Sequence, residues 1–127
     1  MTMTISPINE LLGYTITKVE QCGNDQLKFY RDDGKVVTME HNQDCCESVE
    51  IVDISGDLNM LTGLVVEAEV VTDDTYNPDL PNVYYDLDFQ WTFYKIATVN
   101  EFVCIRWLGT SNGYYGIEVS INVDEVD

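Results

Sequence analysis

Tyr85-Asp86-Leu87-Asp88-Phe89-Gln90-Trp91-Thr92-Phe93-Tyr94 alternates without a break. Side chains of an extended chain point to opposite faces in turn. Tyr85, Leu87, Phe89, Trp91 and Phe93 therefore share one face, and Asp86, Asp88, Gln90, Thr92 and Tyr94 the other. A period of two sustained this long predicts a half-buried strand. Phe102 to Leu108 follows closely enough to pair with it as a hairpin.

The same pattern extends outward in both directions. Leu27 to Arg31 alternates, Asp32-Asp33-Gly34 is a hairpin signal, and Val36 to His41 returns as the next strand. Tyr14 to Cys22 is rich in β-formers and closes at Cys22-Gly23-Asn24-Asp25. Ser48 to Ile54 reads as another strand. So does Leu64 to Val71, with Glu67 and Glu69 outward and Val66, Ala68 and Val70 inward. Ser111-Asn112-Gly113 supplies a turn before a last strand from Tyr114 to Val123. Helix is confined to a turn in residues 1–13, where Ile8, Leu11 and Leu12 have helical spacing, and a turn between Gly56 and Gly63. The expected fold is one mostly β (α+β) domain over residues 1–127. It is a twisted antiparallel sheet of about seven to eight strands with one or two short helices. An acidic loop at 72–82 and an acidic tail at 123–127 complete it.

The 127 residues are 45% hydrophobic, enough for a real core, and carry a formal net charge of −17. Between Lys35 and Lys95 there are thirteen acids and no lysine or arginine. Such a field repels nucleic acid and anionic membranes and steers toward basic protein surfaces. No apolar run approaches the ~20 residues of a membrane span, and the start lacks a basic-then-apolar leader. A cytoplasmic protein is expected, with its four cysteines free or metal-bound rather than paired.

Reactive chemistry concentrates in His41-Asn42-Gln43-Asp44-Cys45-Cys46-Glu47, which holds the one histidine and two of the cysteines. Were the strand to continue through it, His41 and Cys45 would lie ~13 Å apart. A turn at Asn42-Gln43-Asp44 brings them close enough to share an ion. Zinc suits nitrogen with thiolates, which makes His41, Cys45 and Cys46 a candidate structural site. Asp44, Glu47, Cys22 and Cys104 are candidates for the fourth ligand. In the competing reading both cysteines are small buried hydrophobes and His41 ends a strand whose apolar row is Val37 and Met39. Nucleophilic catalysis by Cys45 with His41 as base is disfavoured, since Asp44 and Glu47 would raise the thiol pKa and no Gly-rich oxyanion turn flanks the pair. The protein is not expected to be an enzyme. Trp91, Phe93 and Trp107 read as core aromatics, with the lining of a ligand pocket as the alternative. Arg106, scarce in kind here, is expected to pair with a carboxylate of the same domain, the alternative being that it binds an anion.

Three strings carry a resemblance: His41-x-Gln43-Asp44-Cys45-Cys46-Glu47-Ser48-Val49, Trp91-Thr92-Phe93-Tyr94-Lys95, and Ile105-Arg106-Trp107-x-Gly109-x-Ser111-Asn112-Gly113-Tyr114-Tyr115. With Leu11-Leu12-Gly13 and Gly56-Asp57-Leu58, they resemble a family of small phage- and prophage-encoded proteins of unknown function. More loosely, the chain resembles metal-containing anti-CRISPR inhibitors of type II Cas9. That resemblance implies a non-enzymatic inhibitor whose partner is a basic host protein, Cas9 or its guide-RNA complex. The acids expected at the contact are Glu67, Glu69, Asp73, Asp74, Asp79, Asp86 and Asp88, standing where phosphates would lie. The alternative is a phage accessory or assembly protein whose acidity serves solubility.

Overall fold

The computed structural model describes residues 10–41, 47–73, 88–111, 117 and 119–125. Among these residues there are eight strands: β1 (Thr15–Gln21), β2 (Gln26–Arg31), β3 (Lys35–Glu40), β4 (Ser48–Ser55), β5 (Gly63–Asp73), β6 (Asp88–Thr98), β7 (Phe102–Ser111) and β8 (Ser120–Glu125). They form one sheet in the order β4-β7-β6-β5-β1-β2-β3-β8, and every pairing is antiparallel. The expected mostly β class is what the chain adopts.

The hairpin signals work as their chemistry requires. Gly34 takes a φ of 87° in the β2–β3 turn, a conformation that costs glycine little. Between Gly56 and Gly63 the chain makes a single 3-10 turn, Leu58–Met60, capped by Asp57, whose side chain accepts from Asn59 N at 2.9 Å. The tail expected at 123–127 is strand as far as Glu125, because Lys35 to Glu40 offers an unpaired edge that β8 fills in register.

The sheet does not lie flat. β1 and β5 share only the pairs Thr15↔Leu64 and Ile16↔Gly63. Around this short seam β5-β6-β7-β4 folds back over β1-β2-β3-β8. Trp107 of β7 donates its indole N–H to Met39 Sδ of β3 at 3.2 Å, with both residues fully buried. Asn24, in the β1–β2 turn, accepts from Ile51 N of β4 and donates its amide to Glu50 at 2.9 Å. A single core results, built from Ile16, Leu27, Phe29, Val37, Met39, Val49, Ile51, Val65, Tyr94, Ile96, Val103, Ile105 and Trp107, with Leu11 and Leu61 closing it.

Two expected face assignments change. In β6 the core-facing row is Thr92, Tyr94, Ile96 and Thr98, because their partners Trp107, Ile105 and Val103 are core residues. Phe89, Trp91 and Phe93 therefore lie on the outward face. In β5 a bulge between Val65 and Glu67 shifts the alternation, so Val65 is buried and Val66 is 56% exposed. Ala68 and Val70 pack on the core as expected, and Glu67 and Glu69 are exposed.

Arg31 continues the buried row of Leu27 and Phe29, which places a guanidinium at the end of the core. It is fully engaged. Nε donates to Asp33 Oδ1 at 3.0 Å, Nη2 meets Asp33 Oδ2, Nη1 donates to the Glu10 carbonyl at 2.9 Å, and the group stacks 3.5 Å from the centre of the Tyr14 ring. The chain before β1 is thereby fastened to the β2–β3 turn. The hydrogen bond from Arg31 holds the Asp33 carboxyl below its usual range. The same bond raises the already high pKa of Arg31 against the opposing effect of burial. At the other extreme, burial pushes the Tyr94 phenol up to about 12.

A depressed carboxylate contributes stability above its unfolded pKa, ~3.9, and loses it as pH falls through the folded value. A raised phenol contributes fully below ~10 and loses its share as pH rises toward the folded value. Urea-unfolding midpoints measured across pH are expected to fall at both ends. Asp33→Asn should flatten the limb below about pH 4, and Tyr94→Phe the limb above about pH 10. Limbs unchanged in the two variants would contradict these assignments.

Candidate functional site

Three inward-facing rows converge at one end of the core. Val37, Met39 and His41 follow one another along β3 and beyond its end. Glu47 precedes Val49 and Ile51 on β4, and Ser111 ends the row Val103, Ile105, Trp107, Gly109 on β7. Ser48 pairs with Thr110 and Val49 with Gly109, so Glu47 is level with Ser111. Gly109 serves a close approach. A Cβ there would stand 2.7 Å from the Ile117 carbonyl and 2.8 Å from its Cβ, so only glycine lets residue 117 cross this strand.

His41 and Glu47 meet. Nε2 lies 2.8 Å from Glu47 Oε2, and the two side chains are 5% and 0% exposed. The contact with the carboxyl group fixes the orientation of the ring, with Nε2 donating where Glu47 is ionised. Burial of two ionisable groups is costly unless each is bonded, and here the geometry is short and direct. The pair closes the connection that carries the chain from β3, in one half of the folded sheet, to β4 in the other.

The remaining site residues distribute as follows. Cys45, Cys46 and Asp44 lie outside the described residues. Of the candidate fourth ligands among the described residues, Glu47 is brought to His41. Cys22 follows Glu20 on the outward face of β1, its thiol 3.9 Å from Glu20 Oε1. Cys104 is on the outward face of β7, seven residues from Ser111 and so ~23 Å along the strand. Neither can join His41. Among the described residues no group of three or more His, Cys, Asp or Glu side chains stands close enough to hold an ion.

Of the acids expected at a contact surface, Glu67 and Glu69 are exposed side by side on the outward face of β5. Asp73 ends β5, and Asp88 opens β6 in register with Ser111. Asp74, Asp79 and Asp86 lie outside the described residues. Cations are largely consumed within the chain. Lys18 pairs with Glu20, Arg31 with Asp33 and Glu10, Lys35 with Glu125, and Arg106 with Asp53 at 3.5 Å, as expected for Arg106. Beside Glu67 and Glu69 the same face exposes Leu64, Val66 and Val71, with Val99 and Phe102 on the adjoining hairpin.

Sequence reasoning missed two functional features. Arg31 was legible in parity, since it shares the face of Leu27 and Phe29. Glu47 stood among the candidate ligands, but nothing local marked it as the partner of His41, because the contact depends on how the two halves fold together.

All three strings singled out in sequence are thus adjacent in space: β7 pairs with β4, bringing Glu47-Ser48-Val49 against Trp107 to Ser111, and with β6, bringing Trp91 to Lys95 against Cys104 to Leu108. A family profile, described as a domain of unknown function, DUF7448, matches residues 9–121. The chain belongs to the DUF7448 family. The matched span of this DUF7448 chain runs from the turn before β1 into β8 and so contains the His41–Glu47 pair and the whole β4–β7 ladder. No curated protein and no solved structure matches it. No helix among its described residues is long and apolar enough to cross a membrane.

Proposed function

We propose that this protein is a non-enzymatic, phage-encoded inhibitor that binds a basic host-defence protein through the outward face of β5 and its neighbours, with a type II Cas9 as the partner class. The observation that carries the reading is the composition of that face. Glu67 and Glu69 stand among exposed Leu64, Val66 and Val71, a mixture of acid and apolar surface suited to a protein contact. The formal net charge of −17 supports it, because a field of that sign steers toward a basic partner. A basic nucleic-acid groove is the natural complement of such a field. Carboxylates on the sheet would occupy positions that phosphates otherwise take.

The affinity of the purified chain for Cas9 with guide RNA is expected to fall roughly tenfold between about 50 and 300 mM salt, as for contacts dominated by charge. Glu67→Lys combined with Glu69→Lys should remove most of the binding while the chain still unfolds cooperatively, with the melting temperature lowered slightly by the new Lys opposite Lys95. Absence of binding at low salt would reject Cas9 as the partner class. Binding indifferent to salt and to both reversals would reject the acidic face.

We further propose that His41, Cys45 and Cys46 hold a structural zinc ion. The burial of His41 beside the Glu47 carboxylate supports this, since histidines that bind zinc are commonly oriented by a carboxylate, and a carboxylate is equally a fourth ligand. Zinc would stabilise the crossover between the two sheet halves. Elemental mass spectrometry of protein prepared without a metal resin should give about one zinc per chain. Cys45→Ser should lose the metal and melt at lower temperature. Metal-free wild-type protein would reject the site.

A further inference from the structure

After Lys35 the chain contains two cations, Lys95 and Arg106. The β6–β7 register puts both on the outward face, Lys95 opposite Cys104 and Arg106 opposite Phe93. They are diagonal neighbours, with Cβ atoms roughly 7–8 Å apart. An otherwise acidic domain has gathered the positive charge of its last ninety residues onto adjacent strands. Aromatic rings accompany it. Trp91 stacks on Phe93 at 6.3 Å and 19°, and the Arg106 guanidinium carbon lies 5.1 Å from the centre of the Trp91 ring.

Trp91 is only 5% exposed although it faces away from the core. Among the described residues, its Nε1–H and the Arg106 Nε–H are both buried and have no acceptor. Arg106 reaches Asp53 through Nη2 at 3.5 Å, so that carboxylate does not serve Nε. Buried donors left unbonded are costly and uncommon in native proteins. Two such donors at one locus, one belonging to a cation, define the chemistry of what would complete them. It must offer oxygen acceptors, it gains from carrying negative charge, and an apolar body suits the aromatic floor. A phosphate dianion would suffer from Asp53, from Glu69 beside Lys95, and from the field of the whole chain. A monocarboxylate carries one charge and two oxygens in a plane, the acceptor that guanidinium groups match best.

We propose that the outward face of β6 and β7 is a carboxylate-binding site, in which Trp91 Nε1–H and Arg106 Nε–H grip one carboxylate at the edge of the Trp91 ring, with Lys95 supplying further attraction. The carboxylate comes either from a small aromatic or aliphatic acid or from an acidic side chain of a bound protein. The site does not depend on the β5 face or on Cas9.

The test is a titration of isotope-labelled full chain, followed through its indole and arginine Nε–H resonances, at constant ionic strength against sodium chloride. The probes are benzoate, acetate and N-acetyl-glutamyl amide. The Trp91 and Arg106 signals should move together and saturate, while the Trp107 indole, bonded to Met39, stays still. Saturation with benzoate at lower concentration than with the other probes identifies a small aromatic acid as the source, and preference for the glutamyl amide identifies a protein side chain. Arg106→Gln should abolish the response. Arg106→Lys, which keeps the charge but deletes Nε–H, should weaken it severalfold and covers the case in which the first variant does not fold. No saturable shift with any probe would overturn the proposal, as would a shift undiminished in Arg106→Lys. So would a Trp91 indole proton already at a hydrogen-bonded position and indifferent to every acid, since the chain's own carboxylate would then fill the site.

Discussion

The contact of Trp107 with Met39 constrains everything else. Five strand spacings separate β7 from β3 in the sheet order, ~24 Å if the sheet were flat. Their side chains meet at 3.2 Å. Only a fold-over at the two-pair seam of β1 and β5 reconciles the two distances. That fold-over lets one sheet act as both layers of a core, and the area buried between them supplies the main driving force for folding. It also fixes what is outside. The face of β6 that carries Trp91 and Phe93 becomes exterior because the opposite face holds Ile96 and Tyr94 against Trp107 and Ile105.

The crossover from β3 to β4 has to bridge the two layers, and this is where polar groups enter the core. His41 and Glu47 are buried there as a bonded pair, and Arg31 is buried at the end of the β2 row with two carboxylates, a carbonyl and an aromatic ring around it. In a chain of net charge −17 a buried cationic group such as Arg31 finds carboxylate partners close by. Among the described residues the other carboxylates are exposed or half-exposed, where solvent and salt screen them. Acidity therefore does not oppose this fold strongly, and it leaves β5 with a face able to meet a basic surface.

Strand positions and turns were legible because alternation and glycine-centred turns are local. Asp32-Asp33-Gly34 and the Gly56–Gly63 interval gave the observed turns for the reasons expected. Which side of a strand faces inward was not always legible. In β6 both rows contain aromatics, Trp91 and Phe93 on one and Tyr94 on the other, and the decision rests with Trp107 and Ile105 on a different strand. In β5 the bulge at Val66 reversed the parity that a regular strand would have kept. The candidate site was half legible. His41 announced itself by type and by its place after Val37 and Met39, whereas its contact with Glu47 and the gathering of Lys95, Arg106 and Trp91 on one face are products of register.

The claim that the His41–Glu47 pair clamps the two layers is tested most directly by a double-mutant cycle. Urea-unfolding free energies would be measured for the wild type, His41→Ala, Glu47→Ala and the double variant. A buried, bonded pair should show a coupling of about 1.5 kcal/mol or more, with each single change costing about 3 kcal/mol. Additive single effects, with coupling near zero, would mean that the two side chains are neighbours without holding the crossover together.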